Sequence, residues 1–140
     1  MSTTANTFRA DHASALKGRV NVALQWAVVG SIMVAAVAHI PVIAPHLEEA
    51  PYMGVLFIAL TAVCLSLGAV IAVRSSTWAY QSAAVVCGAA VLAYAATRLV
   101  AFPQLADDVG NWFEPLGVVS VLSESLVVVL AVAAVRRRRT

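Results

Sequence analysis

The sequence predicts an all-α fold, an integral membrane up-and-down four-helix bundle, and three observations carry that expectation. Of 140 residues, 61% belong to the apolar and aromatic set and 11% are charged, against about 45–50% and roughly 25% in soluble domains. The mean hydropathy is +0.88, so the chain lacks the polar surface to enclose a core in water. Its apolar residues also run continuously instead of alternating, which favours helices over barrel strands. This composition excludes a cytosolic enzyme, a secreted disulfide scaffold and a free nucleic-acid binder. The expected partner is the lipid bilayer, with no nucleic acid.

A helix crossing roughly 30 Å of hydrocarbon needs about 20 apolar residues. Four segments meet that length: Val20–Ile43, Tyr52–Val73, Trp78–Ala101 and Pro115–Val135. Residues 20–135 therefore read as one four-helix domain, with a polar leader over 1–19 and a basic tail over 136–140. The leader reads as a mobile cytoplasmic tail. Its length, and that of the run after it, argue against a cleaved signal peptide.

Short loops rich in Lys and Arg stay on the cytoplasmic side. Arg9, Lys17, Arg19, Arg74 and Arg136 to Arg139 make eight of the nine basic residues, and they fall on one side of the four spans. Both termini are thus expected in the cytoplasm, in a multi-pass protein of the cell membrane. The four-arginine tail reads as a topology anchor on acidic headgroups. Five of seven acids, Glu48, Glu49, Asp107, Asp108 and Glu114, fall on the opposite, outer side.

The two outer loops set acids before Pro51 and Pro115, residues suited to the first turn of a helix. Those acids have a structural reading, as partners of the free N–H groups at helix starts. They also have a ligand reading. His46 and Glu49 have the HxxE spacing that puts imidazole and carboxylate on one helical face, with His39 a further nitrogen if Pro41 bends the chain. That donor set suits a divalent ion such as Zn, Ni, Co or Mn. The order of Pro, Leu and acids in the two loops also suggests two hairpins related by duplication.

Polar groups inside spans carry more information, because hydrocarbon exacts a cost for each. Glu124 lies mid-span, with Gly117, Ser120, Ser123 and Ser125 around it, and is the leading candidate for a proton carrier or cation ligand. The structural alternative makes it a protonated interhelical donor. Arg98 lies inside the outer end of the third span on one face with Tyr94, Cys87 and Tyr80. Its expected partners are Glu114, Asp107 or Asp108, with Glu124 more distant, and snorkelling to the interface is the alternative. Asn21, Gln25 and His39 form a stripe with Val28, Ile32 and Ala35, and the first two are expected to bond to neighbouring helices. Cys64 and Cys87 read as small buried residues, since no CxxC motif is present. Thr61, Cys64 and Gly68 make a small-residue face suited to close packing. Trp78 and Tyr80 on the inner side, with Trp112 and Phe113 on the outer, read as interfacial aromatics.

The stretches AHIPVIAPHLEEAPYMGVLF and TRLVAFPQLADDVGNWFEPLG resemble small four-helix integral membrane proteins of actinobacteria. The resemblance implies the fold and supplies neither an activity nor a catalytic residue.

Two functions fit these features. One is a small cation- or proton-binding or transport module with an outward polar site built from Glu124, Arg98, His39, Glu114 and Tyr94, with His46 and Glu49 as metal ligands. The other is an accessory or assembly subunit of a larger membrane complex. Either suits a homo-oligomer or a complex, and neither requires enzymatic chemistry. Haem is disfavoured, because only His39 among the imidazoles lies within a span.

Overall fold

The computed structural model describes residues 3–139. Among them the chain forms four long helices: α1 (Thr3–Glu49), α2 (Pro51–Val73), α3 (Thr77–Leu99) and α4 (Pro115–Arg139). Within these, Ser14–Glu49 and the whole of α2, α3 and α4 are long and apolar enough to cross a membrane. The all-α four-helix expectation holds; three predicted spans lie inside one helix each, and the third, Trp78–Ala101, overruns α3 by two residues because the helix ends at Leu99.

The first helix departs most from the sequence reading. It runs from Thr3 through the leader, where a mobile tail was expected, and its 47 residues make it about 70 Å long. It also continues past Pro41 and Pro45, so Glu48, Glu49 and His46 belong to its last turns and not to a loop. The first connection shrinks to Ala50, which is buried and donates its N–H to the His46 carbonyl at 2.9 Å. Pro51 then opens α2 and Pro115 opens α4, where a missing N–H costs nothing. The other acidic-end connection runs over 100–114, with a 3-10 turn at Ala106–Asp108. One residue against fifteen removes the likeness between the two loops. Arg136 to Arg139 extend α4 instead of forming a separate tail.

Buried residues recur at helical spacing on each element. On α1 they are Val28, Ile32, Ala35 and His39, the stripe that the sequence picked out. Gln25 at its lower end donates to the carbonyls of Ile71 and Ala72 at 2.8 and 3.1 Å, satisfying acceptors that the end of α2 leaves free. Asn21 is exposed and does not share that role. Thr61, Cys64 and Gly68 on α2 are all buried. Trp78, Trp112 and Phe113 are exposed as interfacial aromatics should be, whereas Tyr80 is buried. Its hydroxyl lies 2.9 Å from that of Ser75, and Arg138 stacks over its ring at 5.1 Å while bonding to Ser75. The basic end thus folds back on the α2–α3 connection.

Neighbouring helices run antiparallel. Gly54 faces Leu47 while Gly68 faces Ile32, and Gly117 faces Tyr94 while Gly88 faces Val128. In space α2 packs on α1, α1 on α4 and α4 on α3, while α2 and α3 touch only sparsely. The ring of four is closed on three sides. On α2 nothing is fully buried between Gly54 and Thr61, nor on α3 between Cys87 and Thr97, and these two stretches border the open side.

Close approach of α1 and α2 depends on Gly54. A Cβ there would sit 2.6 Å from Leu47 Cγ and 2.8 Å from its backbone nitrogen. Because backbone cannot step aside, Gly54→Ala is expected to destabilise the bundle by about 1–3 kcal/mol. Gly30→Ala, with nothing within 4 Å, is expected to be neutral or slightly stabilising, since alanine is the better helix former. Thermal unfolding of both in detergent measures this, and equal midpoints would refute the packing argument.

Candidate functional site

The polar groups of the spans assemble at two levels along one cleft. The deeper level joins α1 to α4. His39 and Glu124, at 5% and 1% exposure, approach with Nε2 3.6 Å from Oε1. The Ser120 hydroxyl lies 3.2 Å from the same Nε2. On the other side of the ring, His39 Nδ1 is 2.6 Å from the Ala35 carbonyl. A carbonyl only accepts, so Nδ1 must carry the hydrogen.

That fixes what Nε2 can be. In neutral imidazole it is a bare acceptor, which receives the Ser120 O–H; in imidazolium it donates. A bare Nε2 facing a carboxylate oxygen would set two acceptors against one another with no hydrogen between them. One proton on either partner relieves this, as a carboxylic acid beside imidazole or as an ion pair. Glu124 Oε1 has no hydrogen-bond partner, although its side chain is buried. Facing Glu124 from the remaining helices are the Cys64 thiol of α2 and the Cys87 thiol of α3. Both are buried and are free cysteines.

The upper level centres on Arg98, buried at 5% exposure. Its Nη1 lies 2.5 Å from Asp108 Oδ1 and its Nη2 3.0 Å from Glu114 Oε2. Its guanidinium stacks over Tyr94 at 4.5 Å, as the shared face predicted. Tyr94 in turn donates to the Trp112 carbonyl at 3.0 Å. Arg98 also anchors the loop through its own carbonyl, which accepts from Gly110 N–H at 2.9 Å. Gly110 has φ +81°, a conformation glycine adopts without strain. Arg98 is therefore paired instead of snorkelling, and Glu114 uses its carboxylate on Arg98. Asp107 is exposed and makes no ion pair with it.

His46 and Glu49 both lie in the last turns of α1, as the HxxE spacing expects. His46 Nδ1 donates to the Val42 carbonyl at 2.7 Å, and its ring meets Phe57 edge-on at 4.9 Å. The same phenyl ring lies 5.4 Å from His39. His39 turns its free nitrogen to α4 and Glu49 is exposed. Among the described residues no group of three or more His, Cys, Asp and Glu side chains is placed to hold a metal ion.

Both levels line one cavity of about 580 Å³ between α2 and α3. Ala89, Ala90 and Ala93 form one wall, Leu56, Phe57 and Leu60 the other, and His39, Ser120 and Glu124 lie at its floor with Arg98 nearer its acidic end. Helical spacing could not reveal this space, which exists because alanines on α3 are too short to reach α2. The run of small residues Gly88-Ala89-Ala90, with Ala93 and Ala96 following, was the available signal.

Arg98 binds the 100–114 loop through both side chain and backbone. Arg98→Met keeps the apolar stem and the carbonyl but removes the charge. Amide exchange over 105–111 is expected to accelerate at least about ten-fold, since each charge-assisted bond lost is worth about 1.5–3 kcal/mol and about 1.4 kcal/mol is a factor of ten. Unchanged exchange would show that the ion pairs do not hold the loop. No family model, curated protein or solved structure matches this chain, and the chemistry of the site rests on its own atoms.

Proposed function

We propose that the protein is a proton-binding and proton-transfer module of the cell membrane, with both termini in the cytoplasm and its acidic end outward. The observation that carries this reading is the 3.6 Å approach of His39 Nε2 to Glu124 Oε1, with Nδ1 committed to Ala35. The pair holds one proton in either of two places. Moving it between them costs no new helix contact, and adding or removing one charges a site in hydrocarbon, at about 3 kcal/mol per charge on insertion scales. The cleft gives that exchange a route toward the outer end, past Arg98.

A metal cation suits the same atoms poorly. One carboxylate, one imidazole and a serine hydroxyl fall short of the donor sets that zinc or its neighbours take. The cation that fits is the proton. The sparse α2–α3 contact also favours a second reading, in which the open flank receives a helix of another subunit and the protein acts in assembly. A larger native mass, lost on widening α3 at Ala90, would favour assembly over proton transfer.

Infrared difference spectra across about pH 5–8, the histidine range, test the proton reading. Low pH is expected to load a carboxylic-acid C=O band that high pH removes, and Glu124→Gln is expected to abolish it. His39→Gln, which keeps an acceptor but not a second seat for the proton, is expected to shift the midpoint. A spectrum with no pH-dependent band, or with one that survives Glu124→Gln, would overturn the assignment.

A further inference from the structure

We propose that the cleft between α2 and α3 binds a lipophilic organic cation, whose charge is met by Glu124 in exchange for the proton of the His39–Glu124 pair. This rests on the proton reading above and names the substrate class of the same site.

Four observations converge on that class. Glu124 is 1% exposed, lines the cleft, and keeps one carboxyl oxygen without a hydrogen-bond partner. That oxygen meets His39 Nε2 at 3.6 Å, beyond hydrogen-bond distance, so a ligand can complete what the shared proton leaves weakly satisfied. The formal charges lining the cleft are Asp108, Glu114 and Glu124 against Arg98 alone, and Arg98 has both terminal nitrogens on Asp108 and Glu114. The cleft is thus negative on balance; Arg98 keeps one unpaired donor, Nε, but its charge is already offset by two carboxylates. Its walls are alanine and aliphatic side chains, with the rings of Phe57, Tyr94 and Phe102 toward the acidic end, and such rings attract organic cations through their faces. Its volume of about 580 Å³ lies in the range of drug-sized ligands, about 300–1,000 Å³.

The alternatives fit less well. A hydrated metal ion would meet apolar walls and too few donors. A neutral lipid would fill the walls but bring no counter-charge to Glu124. A molecule both apolar and cationic satisfies walls and floor together, and the open flank between α2 and α3 admits it from the bilayer, where such molecules accumulate. The exchange balances: the carboxylic acid releases one proton to water as one cation takes its place, so the floor stays neutral.

Tetraphenylphosphonium and tetraphenylborate, alike in shape and opposite in charge, provide the test on the purified full chain in lipid nanodiscs. Tetraphenylphosphonium is expected to bind saturably, to release a proton on binding and to weaken as pH falls, while tetraphenylborate does not compete. Glu124→Gln is expected to weaken binding at least about ten-fold. Ala90→Leu, level with Glu124 but on the opposite wall, is expected to weaken it as much while leaving the pH-dependent carboxyl band intact. That variant shows a loss of binding in a protein whose proton site is still built. Equal binding of the two ions, or binding that ignores both substitutions, would overturn the proposal. Absence of tetraphenylphosphonium binding with the carboxyl band still titrating would sink the cation and leave the proton reading standing. Loss of the band itself would remove both. A dimer that Ala90→Leu splits, binding neither ion, would make the cleft a helix-packing seam and also overturn the proposal.

Discussion

A charged group inside hydrocarbon must be neutralised by the protein itself, and that constraint decides how three of the four helices meet. Arg98 can remain in α3 only because Asp108 and Glu114 reach its two terminal nitrogens, so the whole 100–114 connection folds down over the end of α3. Glu124 lies mid-span on α4 with His39 of α1 and Ser120 of its own helix as its polar neighbours, so α1 packs with His39 turned toward it. Apolar packing would allow many rotations of α1 and α4 about their axes. The polar pair selects one, and it is the rotation that also seats Val28 and Ile32 against Val127 in the core.

The same constraint leaves α2 and α3 underused. Neither contributes a charge to the floor of the bundle, and their facing stretches hold alanines and exposed aliphatics. No polar debt draws them together. In water that gap would collapse under the hydrophobic effect, but lipid tails are as apolar as leucine and supply no comparable drive. A lateral cleft is therefore stable in a bilayer, whereas the same sequence in a soluble bundle would close it.

The fold was legible because its signal is one-dimensional. Span length and the skew of eight basic residues against five acids require no knowledge of which helix neighbours which. Glu124 and Arg98 were legible for a related reason, since a charge in an apolar run must be satisfied. Their partners were not equally legible. Asp108 and Glu114 lie close to Arg98 in sequence and were named, but Ser120 meets His39 across 81 positions, and no spacing rule links α1 to α4. His46 shows a contact that spacing does not reveal. HxxE spacing correctly places two side chains on a helical turn, yet a turn has more than one neighbour, and Phe57 of α2 takes the imidazole edge.

Proline misled in a similar way. Pro41 and Pro45 each remove an N–H from the ladder and are normally read as the end of a helix. The carbonyls they leave without a donor, those of Val37 and Pro41, lie about two to three turns before α1 ends at Glu49, and the helix continues through both gaps. Beyond them Ala50 donates to the His46 carbonyl and accepts from Met53, so the chain turns in a single residue. The consequence reaches the site. A looser turn would let α2 drift along α1, whereas Gly54 seated against Leu47 sets the register that brings Phe57 beside His39. The position of the wall opposite the alanines of α3 is thus set by a glycine and a one-residue turn at the end of the helix, beside Tyr52 and Met53, which line the cleft.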